Sequence, residues 1–180
     1  MDINAMNLFL SEGNIKRHLE HLREARLRYS ILEKSIPEIK GRAPTELVRL
    51  NINRDVKDEA ISQLWYIKAH ECFFSSFTEQ QTDNVNVLKH YSSKEKLLYD
   101  LYTEALERDH CFLFIYTDRN GTPRWIFSDK SDGSFIRYEP ILAIDLYEHV
   151  YFLDYGFDKK HFLRNALSHL KLSSLDKEKK

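Results

Sequence analysis

The sequence predicts an α+β fold: an N-terminal antiparallel helical hairpin (residues 1–82), then a C-terminal α/β lobe (residues 83–180) with a small three-stranded antiparallel sheet. Three observations predict it. Apolar residues recur at helical spacing in two long stretches of the first half. Beyond Cys111 the pattern turns to short apolar and aromatic runs of strand length. The hairpin turn signal Asp118-Arg-Asn-Gly121 separates two of those runs.

Ser11 is the expected N-cap of the first helix, which begins near Gly13 or Asn14. From residue 15 to 36, Ile15, Leu19, Leu22, Ala25, Leu27, Ile31 and Leu32 alternate with charged residues as on an amphipathic helix. Pro37 ends it, because the residue before a proline prefers extended backbone. Residues 41–53 read as a connection with a short helical piece after Pro44. A second long helix runs from about Asp55 through Ile61, Leu64, Trp65, Ile67, Ala69, Cys72, Phe73 and Phe74, completing the hairpin. The polar, unpatterned residues 79–87 suit a linker between lobes. A third helix is expected over 93–108. Strands are expected over 111–116, 124–127, 135–138 and 141–144, the second and third joined by the turn at Asp132-Gly133. Helices follow from about Tyr147 and Lys159, and the charged residues 173–180 are expected to fray.

The net charge is −1 with both signs interspersed. Such a balance excludes a broad basic face for nucleic acid or for an anionic membrane. Two cysteines are too few for a disulfide framework and favour a reducing compartment. The chain starts without a basic segment leading into an apolar core, and no apolar run reaches spanning length. The expectation is a cytoplasmic protein.

The chemistry concentrates in Asp145-Leu-Tyr-Glu148-His149-Val-Tyr-Phe-Leu-Asp-Tyr155. Asp145 and His149 are both metal-ligating types, set among aromatic and aliphatic residues that exclude water, and Glu148 can steady a neighbouring imidazole. A hard carboxylate beside a borderline imidazole suits iron, manganese or zinc better than calcium or copper(I). The competing reading of the pair alone is an exposed ion pair.

The longer string Pro140-Ile-Leu-Ala-Ile-Asp145-Leu-Tyr-Glu148-His149-Val-Tyr151-Phe-Leu-Asp-Tyr155 resembles the C-terminal signature of the iron/manganese superoxide dismutases, P-L-L-x-x-D-x-W-E-H-A-Y-Y-x-x-Y. Tyr147 replaces the family's Trp, and Phe152 its second Tyr. Asp158-Lys-Lys-His-Phe162-Leu163 is similar to the R-P-x-Y-L segment that follows. The helical hairpin is also the family's architecture.

The resemblance implies one histidine ligand from each hairpin helix. His70, in Ala69-His70-Glu71-Cys72-Phe73-Phe74, matches the family's N-H-x-x-F-W stretch. His18, in Ser11-Glu-Gly-Asn-Ile15-Lys-Arg-His18, aligns with the first His of H-x-x-x-H-H. The implied ligands are His18, His70, Asp145 and His149, holding one iron or manganese ion per subunit. The implied reaction is dismutation of superoxide to dioxygen and hydrogen peroxide in a homodimer, with Glu148 reaching His149 of the other subunit.

Other positions depart from the family. Its funnel histidine and tyrosine are Leu22 and Arg26 here, and the tyrosine pairing with that histidine across the dimer is Phe152. Losing both members of a hydrogen-bonded pair leaves no buried polar orphan, whereas losing one costs ~1–3 kcal/mol. Tyr66 stands where iron-type members place the glutamine bonded to metal-bound solvent; the manganese-type position falls near Ser131. Arg26 is either a positive funnel residue or a solvated arginine. These departures admit two competitors: a non-catalytic dimer with the same fold, and a metal-dependent hydrolase. His21, His90, His110, His161 and His169 are read as surface or packing residues.

Overall fold

The computed structural model describes residues 3–80, 89–129 and 139–176. One short helix absent from the sequence reading, α1 (Ile3–Met6), comes first. It delivers Ala5, Met6, Phe9 and Leu10 to the core. Ser11 then caps α2 (Glu12–Ser35), its hydroxyl accepting the Asn14 N–H at 3.3 Å. Ile15, Leu22, Ala25 and Tyr29 form the buried stripe of α2. A 3-10 turn at Pro37–Ile39 follows, with Ile39 buried. In α3 (Pro44–Leu47), Glu46 reaches back to accept the Ala43 N–H at 2.8 Å.

Asn53 caps α4 (Arg54–Ser75), accepting from the N–H groups of Asp55 and Val56. Its buried stripe, Ala60, Leu64, Ile67, Phe73 and Phe74 among others, packs on α2. The hairpin is therefore held by helical periodicity on both members. Ser93 caps α5 (Lys94–Leu106), which buries Leu97, Leu101 and Ala105.

Among the described residues the sheet has three antiparallel strands, β1 (Phe112–Thr117), β2 (Pro123–Ser128) and β3 (Leu142–Asp145), in the order β2-β1-β3. β1 is central, which is why it reads as a continuous apolar run. The Asp118 carboxylate organises the β1–β2 turn, accepting from Asn120 and Thr122 N–H, and Gly121 takes the positive φ of 76° that the turn needs. The turn expected at Asp132-Gly133 and the strand expected over 135–138 lie outside the described residues, as does most of the expected linker.

The free edge of β3 is closed by the end of α4. Ser76 Oγ accepts the Ala143 N–H at 2.7 Å while donating to the Cys72 carbonyl. Thr78 N–H bonds the His169 carbonyl, and Lys171 N–H bonds that of Ser76. One core cluster of buried apolar residues runs through both halves of the chain. Two helices complete the fold: α6 (Glu148–Tyr155), ended by Gly156 at positive φ, and α7 (Lys159–Ser168), capped by Asp158. The tail differs from expectation. Leu172–Asp176 is a 3-10 turn with Leu172 and Leu175 buried, because two leucines in a charged segment still gain from leaving water.

Candidate metal centre

Four side chains from four elements converge. His18 projects from the second turn of α2, His70 from the last third of α4, Asp145 from the end of β3 and His149 from the first turn of α6. One ligand atom of each lies within 4.8 Å of all the others. Nε2 of His70, His18 and His149 stand 3.6, 3.7 and 3.9 Å from Asp145 Oδ2. Those separations are too long for hydrogen bonds. With metal bonds of about 2.1 Å, ligands about 90–180° apart around one ion stand about 3.0–4.2 Å from each other. The three distances from Asp145 Oδ2 to the imidazoles fall within that range.

Local structure explains each placement. Phe112 pairs with Asp145 across the sheet, and the Leu146 N–H bonds the Cys111 carbonyl, fixing where β3 ends. Asp145 Oδ1 accepts the Tyr147 N–H at 3.0 Å, which turns Oδ2 toward the imidazoles. His70 Nδ1 lies 2.8 Å from the Tyr66 carbonyl, an acceptor only, so Nδ1 carries the proton and Nε2 keeps its lone pair. The His18 ring stacks on that of His149 at 5.0 Å. Phe73, Phe74 and Phe112 wall the cluster.

The electrostatics are unbalanced as they stand. Asp145 is 0% exposed, and His18 and His70 are at most 2% exposed. Oδ2 of Asp145 and Nε2 of His18 and of His70 have no hydrogen-bond partner among the described residues. Burial lowers the His70 pKa to about 4, outweighing the opposing pull of Asp145, and lowers that of His149 for the same reason. With their pKa values lowered, His70 and His149 are poor counter-charges for a buried carboxylate, and an isolated buried charge is costly. A cation bound by all four groups removes every one of these deficits, and needs neutral imidazoles to do so. The residues therefore fit a metal ion.

The remaining predicted positions are dispersed. Tyr66 lies one turn before His70 with its ring 4.0 Å from the imidazole. Burial, then the Asp145 and Glu24 carboxylates, push its pKa up to about 12. It also lines a cleft of about 250 Å³ between α2 and α4, with His21, Glu24, Arg28 and Gln63. The Arg26 guanidinium is committed to Glu71 at 2.8 Å. Leu22 is packed inside this chain's own core, whereas Phe152 and Glu148 are exposed on α6. Ser131 lies outside the described residues. Sequence reasoning missed Asn14, a fully buried amide one helical turn before His18. A polar residue on the buried stripe of an amphipathic helix is the signal that could have found it.

Fold and cluster together define a protein able to hold one ion on three histidines and a carboxylate, between a helical hairpin and a sheet. The family model for iron/manganese superoxide dismutases, C-terminal domain, matches residues 78–178. The chain belongs to the iron/manganese superoxide dismutase family. A comparison with curated proteins finds no match. No helix among the described residues is long and apolar enough to cross a membrane.

Proposed function

We propose that this chain is a superoxide dismutase with one iron or manganese ion held by His18, His70, Asp145 and His149. The observation that carries the reading is the buried Asp145 Oδ2, without a hydrogen-bond partner among the described residues and 3.6–3.9 Å from three imidazole nitrogens. When bound, iron or manganese supplies a one-electron couple. Overall, two superoxide ions and two protons become dioxygen and hydrogen peroxide.

The chain's own residues serve three tasks in this reading. Asp145 provides the fixed negative charge, and the wall of Phe73, Phe74 and Phe112 keeps bulk water from it. His70 is held in one tautomer by the Tyr66 carbonyl, so its coordinating nitrogen is preset. Tyr66 keeps its hydroxyl proton throughout the neutral range, since its pKa is about 12, and the cleft links it to solvent. In this reading Tyr66 would be the hydrogen-bond donor beside the ion, one helical turn from His70. A dimer is part of the reading, formed through the exposed face of α6 with Glu148, Phe152 and Leu153.

One alternative has specific support: a non-catalytic metal-binding or structural dimer. Leu22 and Phe152 cannot hydrogen-bond, and Arg26 is tied to Glu71 rather than free to attract an anion. Metal analysis of the purified protein, followed by a superoxide-consumption assay after loading with iron or manganese, separates the readings. Metal retained with rapid consumption supports the dismutase. Metal retained without consumption supports the alternative, and no metal uptake rejects both metal-binding readings.

A further inference from the structure

Asn14 does not face the cluster, yet it joins the two helices that carry His18 and His149. Its Nδ2 donates to the Val150 carbonyl at 2.5 Å and to Asp154 Oδ2 at 3.1 Å. Asp154 Oδ2 also accepts the Ser11 N–H at 2.9 Å. Both bonds from Asn14 end on acceptors, so the amide orientation is settled by chemistry. Asn14 itself is 1% exposed, and its Oδ1 has no hydrogen-bond partner among the described residues.

A bland account would have Asn14 merely satisfy a buried carbonyl. Within α6, however, the Val150 carbonyl is already placed to accept the helical N–H of residue 154. The bond from Asn14 is therefore surplus to satisfaction, and its consequence is positional. Position needs such help at this point. α6 has only eight residues, and Tyr147 gives it no side-chain cap. His149, its metal-facing residue, has a side chain 50% exposed and so is little held by packing. The bond from the Tyr155 hydroxyl to the Phe9 carbonyl holds the far end of the helix. Among the described residues, Asn14 gives the buried Val150, next to His149, its side-chain hydrogen bond from α2, one turn before His18.

We infer that Asn14 is a positioning residue for the metal centre, setting the His149 imidazole against His18 and Asp145 by locking α6 to α2. The inference rests on the metal-binding reading above. Because the amide works through His149, its loss should damage coordination geometry more than the fold.

Cobalt(II) titration of Asn14→Leu tests this, since the visible bands of bound cobalt report ligand geometry. The expected result is binding weakened ~10–100-fold, as for other residues that orient a ligand, with shifted bands and a metal-free unfolding midpoint close to that of the unaltered chain. In a His149→Ala background the same substitution should change affinity less than about two-fold, because independent effects add and coupled ones do not. Equal losses in both backgrounds, or unaltered affinity and bands, overturn the inference. Should His149→Ala take up no cobalt, the bands of saturated Asn14→Leu decide alone: shifted bands support it, unshifted bands overturn it. If Asn14→Leu does not fold, Asn14→Ser, with a hydroxyl too short to span both acceptors, replaces it throughout. An unaltered chain that takes up no cobalt rejects the metal reading itself and this inference with it, an outcome distinct from a variant-specific result.

Discussion

His70 and His149 belong to one cluster but are held by opposite means. His70 sits deep in a 22-residue helix, 1% exposed, with phenylalanines around it and its proton fixed on a helical carbonyl. His149 sits on a two-turn helix with half its side chain exposed. Packing around the ring itself places the first; the second is placed through its helix, which buries Val150 and Tyr151 and is bonded to α2 through Asn14, Asp154 and Ser11. A site built this way has a rigid wall and an adjustable one. A substitution at the buried His70 should cost more stability than one at the half-exposed His149.

Substitutions can break that contrast. Asp145→Ala should have the largest effect, since it removes the only charge shared by both walls: affinity for manganese(II) or iron(II) should drop more than roughly 100-fold, beyond the range for orienting residues. Metal-free stability should hold or rise, because an uncompensated buried carboxylate is gone. Titration with metal and urea unfolding measure the two. Retained affinity would remove Asp145 from the site.

Next, His70→Ala and His149→Ala should both weaken metal binding but separate in stability. The first should destabilise the metal-free fold by roughly 2–4 kcal/mol through the cavity it leaves. The second should stay within about 0.5 kcal/mol, as exposed substitutions do. Equal unfolding midpoints would erase the distinction between the walls.

Acid sharpens it further. In the metal-free fold the His70 imidazole titrates at about 4, against about 6.5 in the unfolded chain. As pH falls below about 6.5 the unfolded state gains a proton that the folded state refuses. Stability is therefore full above that pH and declines toward pH 4, by roughly 3 kcal/mol at the limit. Urea unfolding at several pH values should show the loss persisting in His149→Ala and shrinking in His70→Leu.

The smallest effect belongs to Asp154→Asn, which keeps an acceptor for Asn14 and Ser11 but loses the charge. It should cost about 1 kcal/mol, the usual worth of one hydrogen bond, with metal affinity nearly intact. A large loss of affinity would mean that charge rather than position is what Asp154 supplies.

Much of this architecture was legible before any coordinates. Ser11 was read as an N-cap and caps α2, while Asn53 and Ser93, read only as boundary positions of the next two helices, cap those helices as well. The continuous apolar run of β1 and the Asp118–Gly121 turn located the hairpin, because a central strand and a tight turn leave chemical marks within a few residues. The short α1 and the final 3-10 turn were missed, since a single turn is too brief to show a period, and its burial depends on distant partners. The four candidate ligands were named through likeness to a family. His18 in particular sits among charges that read locally as a solvated surface, yet it is buried against Phe73 and Phe74. Asn14 left only its polar character on the buried stripe of α2 as a local mark, and its two acceptors lie far away at positions 150 and 154.

Residue order alone pointed to the long helices, the β1–β2 hairpin and the side chains able to bind a metal, because periodicity, capping and turn chemistry act over neighbouring residues. Folding in three dimensions settled that Asp145 loses all contact with water, that Arg26 spends its charge on Glu71, and that Asn14 reaches across to α6. Burial and long-range hydrogen bonds are properties of surfaces brought together from distant parts of the chain, and no local stretch encodes them.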